Sequence, residues 1–505
     1  MQKNELFTSR TGLILAALGM ALGTGNIWRF PRIIGENGGG SFLIPWIIFL
    51  FLWSIPLLIL EFSLGKGARK GTIGAFGKIM GKKFGWMGAY VGFCAMGIMF
   101  YYSVVTGWCF KYLTSAFSGN VMQQDGLTYW NTFINSAYQP IVFHFLAMLI
   151  GSFIIYRGVV QGIEKANKLL IPSLFILMIM ALIRSLTLPG AMEGVNYLFT
   201  PNLSELLNYK VWLAALTQSA WSTGAGWGLI LTYGVYMKQK EDIVLNSGII
   251  GLGDYSISLI AALAIVPVVF AISPSVESLQ SVTQAGPEQI AIFEQMTDIE
   301  RSESFVQVSG PASTGLTFIA IPQLFSKMPG GQFFLVLFFL ALSFAAVSSL
   351  ISMIELTTRI FIDMGMVRKK AIIFVGAIGF VLGAPSALSM GFFSNQDWVW
   401  GIGLMVSGFF IALAAIKYGV KKFREDFINL EGNDINLGRG FDFIVYLIPV
   451  QFIILIWWWF SQAGGWTDIF SSFSVGTCLF QWGIAVIIFI IFNKWLMNKT
   501  LKDEQ

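Results

Sequence analysis

Residues 19 to 31 read Gly-Met-Ala-Leu-Gly-Thr-Gly-Asn-Ile-Trp-Arg-Phe-Pro, inside an apolar segment long enough to cross a bilayer. Gly19, Gly23 and Gly25 weaken a helix there, and backbone groups that leave the helical ladder at membrane depth persist only where they line a protein cavity. Carbonyl oxygens freed in this way can ligate a cation. Arg29, in the same segment, costs about 2.5 to 3.5 kcal/mol on insertion scales, so packing alone does not account for it. This stretch reads as half of a binding site.

A second interrupted stretch supplies the other half: Gln218, Trp221, Ser222, Thr223, Gly224, Ala225, Gly226, Trp227 and Gly228. Glycines that let helices pack closely would explain Gly224 and Gly228 but not the amide, hydroxyls and indoles among them. Asp254, beside Gly253, Ser256 and Ser258, is an ionisable residue deep in an apolar segment and a functional candidate by default. Phe344-Ala345-Ala346-Val347-Ser348-Ser349 places adjacent hydroxyls in another such segment. One serine bonded to a helix carbonyl is commonplace, but adjacent serines facing freed carbonyls make an oxygen cage for a hard cation. Glu61, Glu355, Asp363 and Asp397 stand at or near segment ends. Tyr101 and Tyr102 lie mid-span, where a tyrosine is more often a packed aromatic than a ligand contact. His144 is the single histidine and offers no metal cluster. Cys94, Cys109 and Cys478 all sit in apolar segments and read as small buried hydrophobes rather than a disulfide framework.

The elements that position these groups follow from composition. The chain has 505 residues, 55% hydrophobic and 12% charged, and a mean hydropathy of +0.71. A soluble domain carries about 25% charge, so this is an all-α integral membrane protein. Twelve apolar segments of about membrane length are expected: 11–33, 41–65, 87–117, 139–156, 167–187, 211–237, 243–272, 331–362, 371–387, 397–418, 441–461 and 474–497. Segments one and six, both interrupted, head two sets of five. Interruptions at matching places in two halves point to a binding site built on inverted repeats. The expected organisation is a polar N-terminal segment, 1–10; a first repeat, 11–187; a second repeat, 211–418, with an outer link, 273–330; two further helices, 441–497; and a tail, 498–505. That outer link, with Pro287, Pro311 and Pro322, reads as a re-entrant or capping element. Gly162 and Pro172 let the inner end of segment five loosen. Trp457, Trp458, Trp459 and Trp466 read as membrane-interface anchors.

Charge gives the orientation. Lys66, Arg69, Lys70, Lys78, Lys82 and Lys83 follow segment two, and basic clusters recur after segments four, eight and ten. The alternate links are poor in Lys and Arg, which puts both termini in the cytoplasm of a multi-pass cell-membrane protein. The net charge of +5 is thus mostly a topology signal; no basic domain stands clear of the membrane for nucleic acid. The partners expected are a small-molecule substrate and the lipid bilayer, and nothing fixes an oligomeric state.

The run Gly25-Asn26-Ile27-Trp28-Arg29-Phe30-Pro31, followed by Glu36-Asn37-Gly38-Gly39-Gly40, resembles the signature of the neurotransmitter:sodium symporter family. Gly162 with Pro172, Gln218 to Gly228 and Ala345 to Ser349 match in order, so the similarity runs from about Ser9 to segment ten. The resemblance implies a bacterial leucine-transporter-like fold, twelve helices with a 5+5 inverted repeat and broken helices one and six, the architecture in which discontinuous helices build a midplane binding site. It implies two sodium sites. One would use backbone oxygens of Gly19, Leu22 and Ala345 with the hydroxyls of Ser348 and Ser349. The other would use the Ala21 carbonyl, Asn26, Ser222 and Asp254. Oxygen donors of this kind suit a hard cation.

The same resemblance implies a substrate carboxylate toward the Thr24 and Gly25 amides and Tyr102, and an amine toward the Ala21, Trp221 and Ser222 carbonyls. Gly23 stands where monoamine carriers of the family have an aspartate, which argues for a substrate with its own carboxylate. The pocket walls would be Met20, Ile98, Trp221 and Gly224, with Trp227, Phe344, Ser349 and Met353. Bulky indoles would narrow the pocket, or Gly224 would open a slot for a flat aromatic group; the reading favours hydrophobic or aromatic amino acids. Arg29 and Asp397 would form an outer gate. Asp363 and Tyr236 would form an inner gate with an N-terminal base, for which the aligned position holds Asn4 beside Lys3. Asp254 departs from the neutral amide of relatives and is expected to replace chloride, making chloride unnecessary. Alternatives are a carrier for a carboxylate-free amine or indole compound, since Asp254 already brings a negative charge, and a non-transporting sensor on the same scaffold. A membrane-embedded enzyme is disfavoured: the chain lacks a nucleophile with a histidine partner, a metal cluster and a phosphate loop.

Overall fold

The computed structural model describes residues 6–272, 274–280, 283, 286–307, 315–430 and 433–502. Asn4, Lys3 and Pro311 lie outside the described residues. Apolar runs with few breakers become helices throughout, and the breaks fall where glycine clusters sit. The first segment is three pieces, α1 (Arg10–Ala21), α2 (Thr24–Trp28) and α3 (Phe30–Glu36). Next come α4 (Gly40–Phe49), joined through a π-helical turn to α5 (Ile55–Ala68), then α6 (Thr72–Ile79), α7 (Gly85–Ser118), α8 (Gly126–Ile134) and α9 (Gln139–Tyr156). A π turn, Val159–Glu164, opens α10 (Lys165–Leu186), followed by α11 (Ala191–Phe199). The sixth segment is again broken, into α12 (Tyr209–Ser222) and α13 (Leu229–Val235), and α14 (Ile243–Ile272) follows.

The outer link is built of short helices, α15 (Val276–Gln280), α16 (Pro287–Gln295), α17 (Asp298–Val306) and α18 (Ile321–Ser326). It does cover the broken first segment. Thr317 Oγ1 donates to the Trp28 carbonyl at 3.4 Å, and a Cβ on Gly35 would lie 2.5 Å from Val306 Cγ1. The chain then runs through α19 (Gly331–Asp363), α20 (Arg368–Leu388), α21 (Met390–Tyr418), α22 (Val420–Phe423), α23 (Arg439–Ser461), α24 (Val475–Ile491) and α25 (Asn493–Thr500).

Among the described residues nine helices are long and apolar enough to cross a membrane, and a tenth span forms if α24 and α25, bent by 62°, are taken together. Segments one and six of the sequence reading are broken into pieces too short to meet that measure. The lipid side is visible in the burial: Ile453, Trp457, Phe443 and Ile487 are exposed apolar residues on α23 and α24, whereas α7 and α19 are buried along most of their length. Around these two central helices sit the broken pair, so the unwound stretches lie inside protein, where their free backbone groups have partners.

Candidate functional site

Both breaks are local consequences of sequence. After Ala21 the chain leaves helical dihedrals at Leu22 (φ −72°, ψ 70°) and is extended at Gly23 (φ −84°, ψ 179°), where α2 begins. Gly224, Gly226 and Gly228 have φ of +64°, +93° and +78°, backbone that side-chain-bearing residues rarely adopt. The second break is held by Glu61 of α5, whose side chain is fully buried. Its Oε1 accepts from the Gly226 N–H at 2.5 Å and its Oε2 from the Leu231 N–H at 3.1 Å, which supplies partners to the unwound stretch and the first turn of α13. Close approach there needs Gly65, since a Cβ would meet the Leu231 carbonyl oxygen at 1.9 Å.

Asp254 of α14, 0% exposed, is the centre of one polar cluster. Its Oδ2 accepts from Ser222 Oγ at 2.7 Å and its Oδ1 from Asn26 Nδ2 at 2.6 Å. Asn26 Nδ2 also reaches Ser222 Oγ at 3.0 Å and Ser258 Oγ at 2.9 Å. One carboxylate, one amide and two hydroxyls from three different segments thus converge in a buried spot; the carboxylate and hydroxyl oxygens suit a hard cation, and the amide turns its Nδ2 toward them. Of the four groups expected there, the three side chains meet directly; the Ala21 carbonyl accepts from the Gly23 N–H at 2.7 Å at the break itself. A second cluster joins α1 to α19. Ser349 Oγ donates to the Gly19 carbonyl at 3.3 Å and to the Met20 carbonyl at 3.1 Å, and Ser348 Oγ to the Ala345 carbonyl at 2.9 Å. Carbonyls and hydroxyls again fit an oxygen-seeking ion, with Leu22 adjacent at the point where the helix opens.

Between and above these clusters lies a cavity of about 460 Å³ that runs outward from the breaks. Met20, Ala21, Gly23, Thr24 and Gly25 line it, with Ile98, Tyr102, Trp221, Ser222, Gly224, Trp227, Ser349 and Met353. Tyr102 OH takes the Thr24 N–H at 3.1 Å, so hydroxyl and amide stand side by side at one wall. Gly23 leaves this corner open: its Cβ would be 3.2 Å from Ser349 Oγ and 3.3 Å from Tyr102 OH. Gly224 does the same opposite, where a Cβ would lie 2.5 Å from Met20 Sδ. The Trp221 and Trp227 indoles pack edge to face at 6.2 Å. Phe344 is not in this lining: it stands five residues before Ser349, whereas Ser349 and Met353, four apart and on one face of α19, both line the cavity. Trp459 corrects a second expectation, because it lines the outer part of the cavity and packs on Trp398 at 5.6 Å instead of serving as an interface anchor.

Arg29 and Asp397 line the same cavity. The Arg29 guanidinium lies over the Trp221 ring, 4.9 Å from its centroid, and makes no ion pair with Asp397 among the described contacts. Guanidinium and indole thus bound the cavity together. For the outer gate that the resemblance implies, Arg29→Ala is expected to leave equilibrium ligand contact within a few-fold while slowing transport by about ten-fold or more; a variant with full uptake removes that role.

On the inner side, Tyr236 and Asp363 do not bond to each other. Tyr236 OH donates to Glu355 Oε1 at 2.5 Å, and Glu355 is held by Arg368 at 2.6 and 2.8 Å. Asp363 pairs with Arg359 at 2.7 Å and accepts the Gly71 N–H, while Arg359 stacks 5.6 Å over Tyr236. Arg359 is thus the link between the two expected gate residues. Phe7, almost fully buried, packs edge to face against Tyr233 at 5.7 Å. Glu61, Glu355 and Phe7 carry no expected site role from sequence alone. For the two carboxylates the available signal was an ionisable group in an apolar segment. His144 serves a helix joint: its Nε2 faces the Phe380 carbonyl at 3.0 Å and its ring stacks on Phe380.

Comparison with known proteins agrees with this geometry. The profile described as the sodium:neurotransmitter symporter family matches residues 4–139 and 138–490. An uncharacterised sodium-dependent transporter of Methanocaldococcus jannaschii is 31% identical over 471 residues, 88% of this chain and 88% of its own. The sodium-dependent neutral amino acid transporter B(0)AT2 of Rattus norvegicus is 26% identical, over 84% of this chain and 68% of its own. Among solved structures, MhsT in complex with L-phenylalanine superposes with a TM-score of 0.73 at 29% identity, over 90% of this chain and 99% of that one. The fold is therefore the leucine-transporter-like one, in a family of transporters rather than enzymes, and the chain belongs to the sodium:neurotransmitter symporter family.

Proposed function

We propose that this protein is a sodium-coupled symporter that imports a hydrophobic or aromatic amino acid by alternating access between two five-helix repeats, residues 11–187 and 211–418, with both termini cytoplasmic. The observation that carries the reading is the meeting of two oxygen clusters with one cavity at the two helix breaks. Asn26, Ser222, Asp254 and the Ala21 carbonyl hold one sodium ion. Ser348, Ser349 and the carbonyls of Gly19, Leu22 and Ala345 hold the other. These ions supply positive charge that favours the state in which α1, α12, α14 and α19 are drawn together.

The substrate carboxylate binds at Tyr102 and the Thr24 and Gly25 amides, a corner kept open by Gly23. Its side chain lies among Met20, Ile98, Met353 and the two indoles, with room at Gly224 for a flat ring. MhsT, solved with L-phenylalanine, supports an aromatic substrate by analogy. Thermal unfolding of purified protein across the twenty amino acids, indole and simple amines, each in sodium and in potassium, tests this. The expected result is stabilisation by aromatic or large apolar amino acids in sodium alone. Stabilisation only by carboxylate-free compounds would discard the amino-acid assignment.

Asp254 carries the fixed negative charge beside the first sodium, so transport proceeds without chloride. Asp254→Asn is expected to lose most sodium-driven uptake in chloride-free buffer and to regain part of it when chloride is added. A chloride requirement in the unmodified protein would refute the role.

A further inference from the structure

Arg69 is the one residue other than glycine with positive φ among the described residues, at φ 56° and ψ 25°. It ends α5 in the left-handed region, its N–H returning to the Gly65 carbonyl at 2.9 Å. Glycine takes that conformation without strain and is the usual residue there. A strained arginine at such a place points to work done by its side chain. The guanidinium turns to the end of α13, where Nη1 donates to the Val235 carbonyl at 2.9 Å and also to the Met237 carbonyl. The last carbonyls of a helix lack partners within it, and a cation suits that negative end. Between these two stands the Tyr236 carbonyl, which accepts the Phe7 N–H at 3.1 Å. Three successive carbonyls are thus gripped from two sides, the middle one by the N-terminal segment and the outer two by α5.

The same helix holds α13 at its other end. Glu61 accepts the Leu231 N–H at the start of α13, and Arg69, about two turns further along α5, serves its finish. Gly234 lets the backbones touch between these points, since a Cβ there would lie 2.8 Å from the Phe62 carbonyl oxygen. Lys66, 3% exposed, carries the grip into the next link, where its Nζ donates to the Glu241 carbonyl at 2.8 Å. The residue framed by the two Arg69 bonds is Tyr236, whose hydroxyl meets Glu355 and whose ring lies under Arg359.

We propose that Arg69 is a positioning residue of the inner gate: it fixes the backbone on both sides of Tyr236 and so keeps the tyrosine seated at Glu355 and Arg359 while the inner end is shut. The proposal rests on the sodium-coupled, alternating-access reading above. The Phe7 bond depends on where the N-terminal segment lies, whereas the Arg69 bonds belong to α5 and hold the tyrosine independently of it.

Hydrogen exchange of the purified protein, read over 229–237 and over 65–71, and sodium titrations of thermal unfolding test this in Arg69→Gly, Arg69→Asn and Arg69→Lys. Glycine and asparagine both accept the left-handed conformation, so they spare the end of α5 while removing the guanidinium. In both variants exchange over 229–237 is expected to quicken about ten-fold with 65–71 unchanged. The sodium half-saturation is expected to rise about five-fold, since sodium favours the state with the inner end shut. Arg69→Lys, which keeps a charged donor, recovers part of both. Wild-type exchange over 229–237 or an unchanged sodium half-saturation overturns the proposal, as does an equal rise over 65–71, which marks a cap for α5 alone. Should Arg69→Gly not fold, Arg69→Asn decides by the same readings. An unmodified protein that does not respond to sodium ends the symporter reading and the gate with it. A sodium-responsive protein whose Arg69→Gly and Arg69→Asn variants exchange and titrate as wild type ends the role of Arg69 alone.

Discussion

Asn26→Ala and Ser348→Ala are each expected to abolish sodium-dependent ligand binding, the first through the Asp254 cluster and the second through the α1–α19 cluster. Asn26 is the side chain that ties α2 to both Ser222 and Asp254, at 3.0 and 2.6 Å. Its loss leaves the buried carboxylate with Ser222 Oγ as its one remaining side-chain donor among the described residues and takes the amide out of the cluster. Losing a polar partner to a charged group in such a site costs about 2 to 3 kcal/mol, roughly a hundredfold in affinity. Ser348→Ala removes an oxygen ligand from the α1–α19 cluster without disturbing helix geometry, because the Ser348 hydroxyl only returns to the Ala345 carbonyl of its own helix. Sodium titrations of thermal unfolding, with and without ligand, check both. Unchanged titrations in the two variants would refute the cage assignments.

Glu61→Ala is the second large effect, and it acts on the scaffold. The carboxylate is the acceptor for the Gly226 and Leu231 N–H groups, one on each of its oxygens. Removing it leaves backbone donors unsatisfied at the break, at a cost of about 3 to 5 kcal/mol when two such bonds to a charged group are lost. Glu61→Gln keeps one acceptor oxygen and turns an N–H toward the other donor, so a smaller loss, about 1 to 3 kcal/mol, is expected. Thermal unfolding in detergent measures both. A Glu61→Ala protein as stable as the unmodified chain would contradict the role of this side chain in holding the sixth segment open.

Much of the fold is legible in hydropathy because a bilayer imposes one length on each span. The segment 139–156 coincides with Gln139–Tyr156 and 243–272 with Ile243–Ile272. The two breaks are legible for a different reason: glycines beside Asn26, Arg29, Ser222 and Thr223 have no use in a lipid-facing helix. Pairings between distant segments are not legible in this way. Tyr236 reaches Glu355 and not Asp363 because Arg368, thirteen residues past Glu355 and on the next helix, holds that carboxylate beneath it. Trp459 turns inward because Trp398 and the outer cavity provide a face for it, a fact of tertiary packing that a tryptophan cluster near a helix end does not reveal. Phe344 follows the same rule, since a shift of one residue on α19 swings a side chain by about 100°.

The measurement that bears most directly on sodium-coupled transport is uptake of a radiolabelled aromatic amino acid into proteoliposomes under an inward sodium gradient. The account predicts accumulation above the external concentration that collapses when the gradient is dissipated or sodium is replaced by potassium. Sodium-dependent binding with no accumulation against a gradient would contradict it and leave a sensor on a transporter scaffold.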